Sequence, residues 1–493
     1  MKVDATQFQI PQLEWECIDF PLTLTKLEFE KSNWGFTKDA TISIWRDDRL
    51  KLRARISGII TTVKEIDQDN FIGQGNIIEG QKITGRDANN NLVTMNESFI
   101  GHTLFEDFFQ DGKIVSKVKA EITLDFIKIV YDDKINESAN TIKLEWFVCK
   151  SILARFYNST TRYSKKSKKR IRAGVDPEDN DYNHLKGSNT SRDFCKVQLE
   201  KLEFLVAKVP ENFIPSDISG LCFEFREIPK EENYEDISGA LSFISFLLGN
   251  KIKKIGYSIV NDTKLVESFA YSIDEYPEDN TMPSIKFNYQ YDWGNFAYLL
   301  NTYLPKFLDI NNELFLDKAI AKSFIANNLP IGTNLPILAS ALETIISKYF
   351  QSKNIKTFEY ISEKEYLAII ASDLESIAGK LKHVKGHEIM LRKISGVFRK
   401  SANEKTTQFF KLIDLNVGEQ ELKAINLRNK MAHGSSDYSK KSKVYKDLIA
   451  SRVYEVLFNR VVLKLLNYQG YYIDYSLKGT PLKHLDLPSG TNT

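Results

Sequence analysis

The chain reads as an α+β protein, an N-terminal strand-rich, antiparallel β region followed by a C-terminal all-α helical bundle. Three observations predict this. Period-two alternation of β-branched and aromatic residues dominates to about residue 290. From Trp293 onward apolar residues recur at helical spacing instead. Between them, Asp274 to Pro283 is polar and proline-bearing, as a turn or linker would be. At 493 residues two or more domains are expected, divided here as 1–290, 295–475 and an irregular tail at 476–493.

The strand signals come in order. Ala40 to Trp45 alternates, and Leu50 to Ile60 runs Leu-Lys-Leu-Arg-Ala-Arg-Ile-Ser-Gly-Ile-Ile. Lys119 to Tyr131, Thr141 to Cys149 and Lys196 to Val209 behave alike, which implies sheets with one wet face. A helix interrupts at Asp236 to Leu248, stopped by Gly249-Asn250, and strands resume at 254–260 and 264–273. Helices are then expected at 295–309, 312–327, 334–352, 362–381, 388–400, 404–415, 419–433 and 441–467. Leu338, Leu342, Ile345, Ile346 and Tyr349 make one apolar stripe. Leu448, Val453, Val456, Leu457, Val461 and Leu465 make another, and both read as core-facing. Short connections favour an antiparallel bundle. No internal repeat is visible.

Composition narrows the function. Lys plus Arg is 67 against 65 for Asp plus Glu, so attraction to nucleic acid has to be local. One run is strongly basic, Arg162-Tyr-Ser-Lys-Lys-Ser-Lys-Lys-Arg-Ile-Arg172, with Asp176, Glu178, Asp179 and Asp181 after it. It reads either as a long solvated loop or as a contact for nucleic-acid phosphates. Cys17, Cys149, Cys195 and Cys222 lack metal or short disulfide spacing, as suits a reducing cytoplasm. Met1 to Asp4 opens no apolar signal region, and the apolar run at Leu241 to Leu248 is too short to cross a bilayer. A cytoplasmic protein without membrane contact is expected.

Several chemistries lack their residues. There is no Gly-x4-Gly-Lys phosphate loop and no Gly-x-Ser-x-Gly elbow. His383 and His387 are one helical turn apart, but Gly386 lies between them and nothing nearby completes a zinc set. Glu421-Leu422-Lys423 falls on a helix, whereas a metal-dependent nuclease of the Asp…Glu-x-Lys kind carries that triplet on a strand. No cofactor or metal is expected.

The chemistry concentrates at Arg428-Asn429-Lys430-Met431-Ala432-His433, followed by Gly434. Histidine moves protons in either direction near neutral pH, and arginine grips phosphate through a planar fork. Together they suffice to cut RNA without a metal. Five helical steps set the two about 140° apart, with Ala432 and Asn429 on the arc between. Gly434 fits a C-cap, and the helix's negative end favours protonated His433. The plainer alternative is a helix ending, as many do, in a basic residue and glycine.

Around this segment the chain resembles a HEPN domain, a helical bundle whose signature is an arginine, four to six residues, then a histidine. Asn426 to Gly434 is similar to the family's catalytic segment, with Asn429 a common follower of the arginine. Ala339-Ser-Ala-Leu-Glu-Thr-Ile-Ile346 resembles its early helix, and the helix after Lys441 its closing one. The strand-first, bundle-last order and the stretch Ile237 to Gly249 resemble ApeA-type proteins of bacterial anti-phage defence by abortive infection.

The resemblance implies a metal-independent endoribonuclease. His433 would act as general base or acid, Arg428 would hold the scissile phosphate, and Asn429 would orient either group. The product would be a 2′,3′-cyclic phosphate and DNA would be spared. It also implies a homodimer or higher homo-oligomer with the signature helices meeting across a twofold. The strand-rich part would sense a phage-derived trigger or restrain the nuclease. A non-catalytic HEPN module that dimerises or binds RNA, and the toxin of a toxin–antitoxin pair, are the alternatives.

Overall fold

The computed structural model describes residues 8–10, 22–30, 39–60, 82–110, 113–131, 141–152, 160–164, 169–173, 190–191, 194–209, 217–261, 264–273, 277, 282–288, 290–331, 333–355, 360–432 and 441–491. The chain divides into two compact units. One comprises 1–237, 250–281 and 287–301; the other comprises 238–249, 282–286 and 302–493.

In the first unit, β1 (Phe8–Ile10) is followed by β2 (Leu22–Phe29), β3 (Thr41–Arg46), β4 (Leu52–Ile60), β5 (Lys82–Arg86), β6 (Leu92–Gln110) and β7 (Lys113–Val130). The order β7-β4-β3-β2-β5-β6, with β6 returning to β7, closes six antiparallel strands into a barrel. The alternation in β4 is the reason it fits. Leu52, Ala54 and Ile56 are buried, while Arg53 and Arg55 face outward to Asp47 and Glu121. Leu24, Ile42, Ile44, Ile83, Val93, Met95, Ile122 and Leu124 belong to the same apolar cluster.

Two barrel hairpins turn on aspartates. Asp47 Oδ1 accepts from the Arg49 and Lys51 amides, and Asp87 Oδ1 from those of Asn89 and Asn91. A short acceptor side chain thus supplies the hydrogen bonds that the turning backbone lacks.

The next strands are β8 (Thr141–Cys149), β9 (Thr160–Ser164), β10 (Lys169–Ala173), β11 (Thr190–Ser191), β12 (Phe194–Gln198), β13 (Glu203–Lys208) and β14 (Ser219–Phe225). After helix α1 (Tyr234–Leu248) come β15 (Lys253–Asn261) and β16 (Lys264–Tyr271). β7 is the junction: Ser116 to Leu124 pair with β4, then Phe126 to Val130 pair with β16. From there the sheet runs β16-β15-β8-β14-β13-β12, antiparallel throughout.

The 196–209 run, expected as one strand, is two. Leu199 N–H donates to Leu202 O across a turn at Glu200-Lys201, whose charged side chains suit solvent. The basic run, expected as a loop, supplies β9 and β10, which pair in a small sheet ordered β1-β10-β9-β11; its middle, 165–168, lies outside the described residues. So do Cys17 and the acidic stretch 176–181.

The second unit takes in Ser238–Gly249, helix α2 (Phe296–Leu314) from Thr302 on, and the helices α3 (Leu316–Asn327), α4 (Asn334–Ser352), α5 (Glu363–Leu381), α6 (His387–Ser395), α7 (Ala402–Leu412), α8 (Glu419–Ala432) and α9 (Lys441–Leu465). Most ends carry recognisable signals. Ser362 with Glu365 and Ser401 with Glu404 form reciprocal capping boxes for α5 and α7. Gly249 ends α1 at φ +63, and a Cβ there would meet the Met282 backbone at 2.0 Å. The break between α2 and α3, expected near residue 310, falls at Phe315, which adopts φ 55. α4 packs against α3, α8 and α9.

The closing segment is more ordered than the irregular tail expected. β17 (Tyr471–Ile473) and β18 (Leu482–His484) form a two-stranded sheet. Lys483, almost fully buried, is 3.1 Å from Asp474 and donates to Pro488 O. Proline and glycine mark the turns here, but the order comes from buried polar pairs.

Candidate functional site

Helix α8 carries the motif, and its inward face explains where Arg428 goes. Glu421, Ala424, Ile425 and Arg428 fall at i, i+3, i+4 and i+7, one stripe of a helix, and all four are buried. An apolar pair is thus bracketed by two opposite charges, each needing a partner. Glu421 finds Arg460 on α9, with Nη1 at 2.5 Å and both side chains wholly buried. Arg428 finds Glu343 on α4, with Nη1 2.6 Å from Oε1. Glu421 thus meets residue 460 and Arg428 lies near Tyr454, so α8 and α9 run antiparallel along this seam.

Arg428 is buried, with the Glu343 carboxylate and the Tyr454 hydroxyl as polar neighbours. Its guanidinium is 5% exposed, yet Glu343 is 52% exposed, so the ion pair reaches the surface on the carboxylate side. Nη1 is ion-paired to Glu343 but makes no hydrogen bond of good geometry among the described residues, and the Tyr454 hydroxyl on α9 lies against the same guanidinium. Burial pushes the Tyr454 phenol up to about 12, while Arg428 beside it pulls the other way. Tyr454 is therefore a neutral hydroxyl at physiological pH, able to donate or accept next to a fixed cation. Toward the start of α9, Asp447 is buried with no hydrogen bond to Oδ2 among the described residues, and burial raises its pKa against the pull of Lys443.

Of the other motif residues, Asn429 is helical, but its side chain is outside the described set. His433 and Gly434 lie outside the described residues. The structure thus gives Arg428 its surroundings and brings to it two residues that sequence reasoning had not assigned, Glu343 and Tyr454. Glu343 stood inside the quoted early-helix segment. Tyr454 had only the weak signal of a hydroxyl among aliphatic residues of α9.

Two set-aside motifs are now explained. Glu421 of the Glu-x-Lys triplet is consumed by Arg460 and by Ser489, whose Oγ donates to it at 2.8 Å. Lys423 pairs with Glu419 on the solvent side. His387 sits 3.3 Å from its neighbour Val384 O, and His383 is exposed. No group of three or more His, Cys, Asp or Glu able to hold a metal occurs among the described residues. Among them no helix is long and apolar enough to cross a membrane. Cys149, Cys195 and Cys222 are buried. No protein-family model matches the chain, and comparison with curated proteins and with solved structures returns no match.

Proposed function

We propose that the helical unit is a metal-independent endoribonuclease of the HEPN kind, acting as a dimer in bacterial defence against phage. The observation that carries the reading is Arg428. It is a guanidinium set where α4, α8 and α9 meet, one helical turn before the end of α8, ion-paired to a carboxylate that is half exposed. In this reading a scissile phosphate displaces Glu343, whose exposed carboxylate can swing into water at small cost. Arg428 then neutralises charge growing on the phosphate. His433 takes the proton from the ribose 2′-hydroxyl or returns one to the leaving oxygen. Asn429 orients the pair, and the strand-rich unit holds the nuclease idle until a trigger binds.

One observation favours a second reading. Arg428 is almost fully buried and ion-paired, as a structural arginine would be. In that case the bundle is a non-catalytic dimerisation or RNA-binding module.

Incubating RNA with purified full-length protein in EDTA separates the two. The nuclease reading expects cleavage that His433→Ala and Arg428→Lys abolish while circular dichroism stays unchanged. The structural reading expects no cleavage by any form, with Arg428 substitutions lowering the melting temperature alone.

A further inference from the structure

We infer that the helical hairpin α5–α6 is an arm that grips the phosphate backbone of single-stranded RNA, an inference that rests on the ribonuclease reading. The two helices pack on one another, yet neither has a single buried residue. Their apolar stripes, Tyr366, Ile370, Leu374, Ile377 and Leu381 on α5 with Leu391 and Ile394 on α6, are only half-buried, and Tyr366 Oη donates to Ile394 O between them at 2.6 Å, which leaves the residues of the outward faces for another use.

Charge segregates along this hairpin. Before the tip, α5 holds Glu363, Glu365, Asp373 and Glu375 against Lys364 alone. The tip, 380–393, holds Lys380, Lys382, Lys385, Arg392 and Lys393 against Glu388 alone, five cations to one carboxylate. All five are exposed. None makes an ion pair or a side-chain hydrogen bond among the described residues, whereas Arg399 at the base reaches Glu363 at 3.6 Å. Helix-end electrostatics accounts for only part of this. Lysines at the end of α5 complement its dipole, but Lys385 sits before α6, at the end a cation disfavours. Five unpaired cations within about two turns of a tip are complementary to a polyanion.

The occupant follows from what accompanies the cations. Residues 377–397 contain no Trp, Tyr or Phe, and only the His383 and His387 rings could stack on bases, so contact is chiefly to phosphates and largely indifferent to sequence. A lipid surface is the other polyanion. Val384, Ile389 and Met390 are exposed at the tip, but α6 has nine residues and no aromatic anchor, a poor fit to an interfacial helix. The arm belongs to the same compact unit as Arg428, so RNA held there is held by the unit that is to cut it.

The test measures binding of a short polyuridine RNA to the full chain in its His433→Ala form across a NaCl series. That form is compared with the same chain also carrying Lys382→Gln, Lys385→Gln and Arg392→Gln. Losing three phosphate contacts should flatten the slope of log affinity against log salt by about 2, at ~0.7 per contact for single strands. Affinity should fall most at low salt, with an unchanged melting temperature because all three residues are exposed. An unchanged slope overturns the inference. So does loss of binding to phosphatidylserine vesicles without loss of RNA binding. A wild type that cleaves while the substituted arm binds normally defeats the arm alone. A wild type that never cleaves while the arm governs binding defeats the nuclease reading alone.

Discussion

Replacing Glu421 by Ala should be among the most damaging single changes in the helical unit. Its carboxylate is fully buried and accepts from Arg460 Nη1 (2.5 Å), Ser489 Oγ (2.8 Å), Ser489 N (3.2 Å) and Gly418 N (2.8 Å). One side chain thus caps the start of α8, ties it to α9 and fastens the closing segment. Truncation leaves Arg460 charged in the interior. Breaking a buried pair by removing one partner costs about 3–5 kcal/mol. Arg460 keeps two carbonyl acceptors, Asn416 O and Leu485 O, and the Tyr472 ring, which places the expected loss near the lower figure. For a unit of this size ~3 kcal/mol lowers the melting temperature by roughly 6–12 °C. The assay is urea and thermal unfolding followed by a probe in the helical unit. Glu419→Ala serves as control, since its pair with Lys423 is exposed and worth no more than about 0.5 kcal/mol. A loss below ~1 kcal/mol for Glu421→Ala, or one equal to the control, would refute the reasoning.

Three further outcomes are expected. Glu343→Ala should destabilise the helical unit by about 2 kcal/mol, less than a fully buried pair because the carboxylate is half exposed, and urea midpoints read it. Stability should hold to about pH 10 and then fall toward pH 12. Burial raises the folded pKa of Tyr454 to about 12, and that of Tyr468, Tyr472 and Tyr475 in the same direction, so the unfolded chain releases its protons first. Tyr454→Phe should remove up to about 2–3 kcal/mol of that loss, as pH-resolved melting would show. Gly249→Ala should cost well over ~1 kcal/mol, because φ is +63 and the new methyl group would collide with the Met282 backbone; a neutral effect on melting would contradict the geometry.

The parts of the fold legible in the sequence are those whose residues alternate or recur at helical spacing, whether or not one face is wet: Thr141 to Cys149, expected with a wet face, is buried from Ile142 on because Lys143 and Glu145 pair with each other inside. β4 announced itself because Leu52, Ala54 and Ile56 alternate with Arg53 and Arg55, and α4 because its apolar stripe is uninterrupted. β2, β5, β6 and β14 were not singled out. β14 is buried along nearly its whole length, so alternation carries no signal there. Barrel closure was illegible for another reason: it depends on which strand β7 pairs with along its length, a register no local pattern encodes. At the site, the Arg428 to His433 spacing was visible as a motif. The two neighbours of Arg428 were not, because Glu343 and Tyr454 approach from positions 85 residues before it and 26 after it.

The most direct measurement is the chemistry of the cut ends. Full-length protein is incubated with an RNA and with its 2′-deoxy counterpart of the same sequence, without metal, and the fragments are weighed by mass spectrometry. A metal-independent ribonuclease leaves 2′,3′-cyclic phosphate ends on the RNA, an intact deoxy strand, and no fragments from His433→Ala. Cleavage of the deoxy strand, or fragments that persist in the His433 variant, would contradict the nuclease reading.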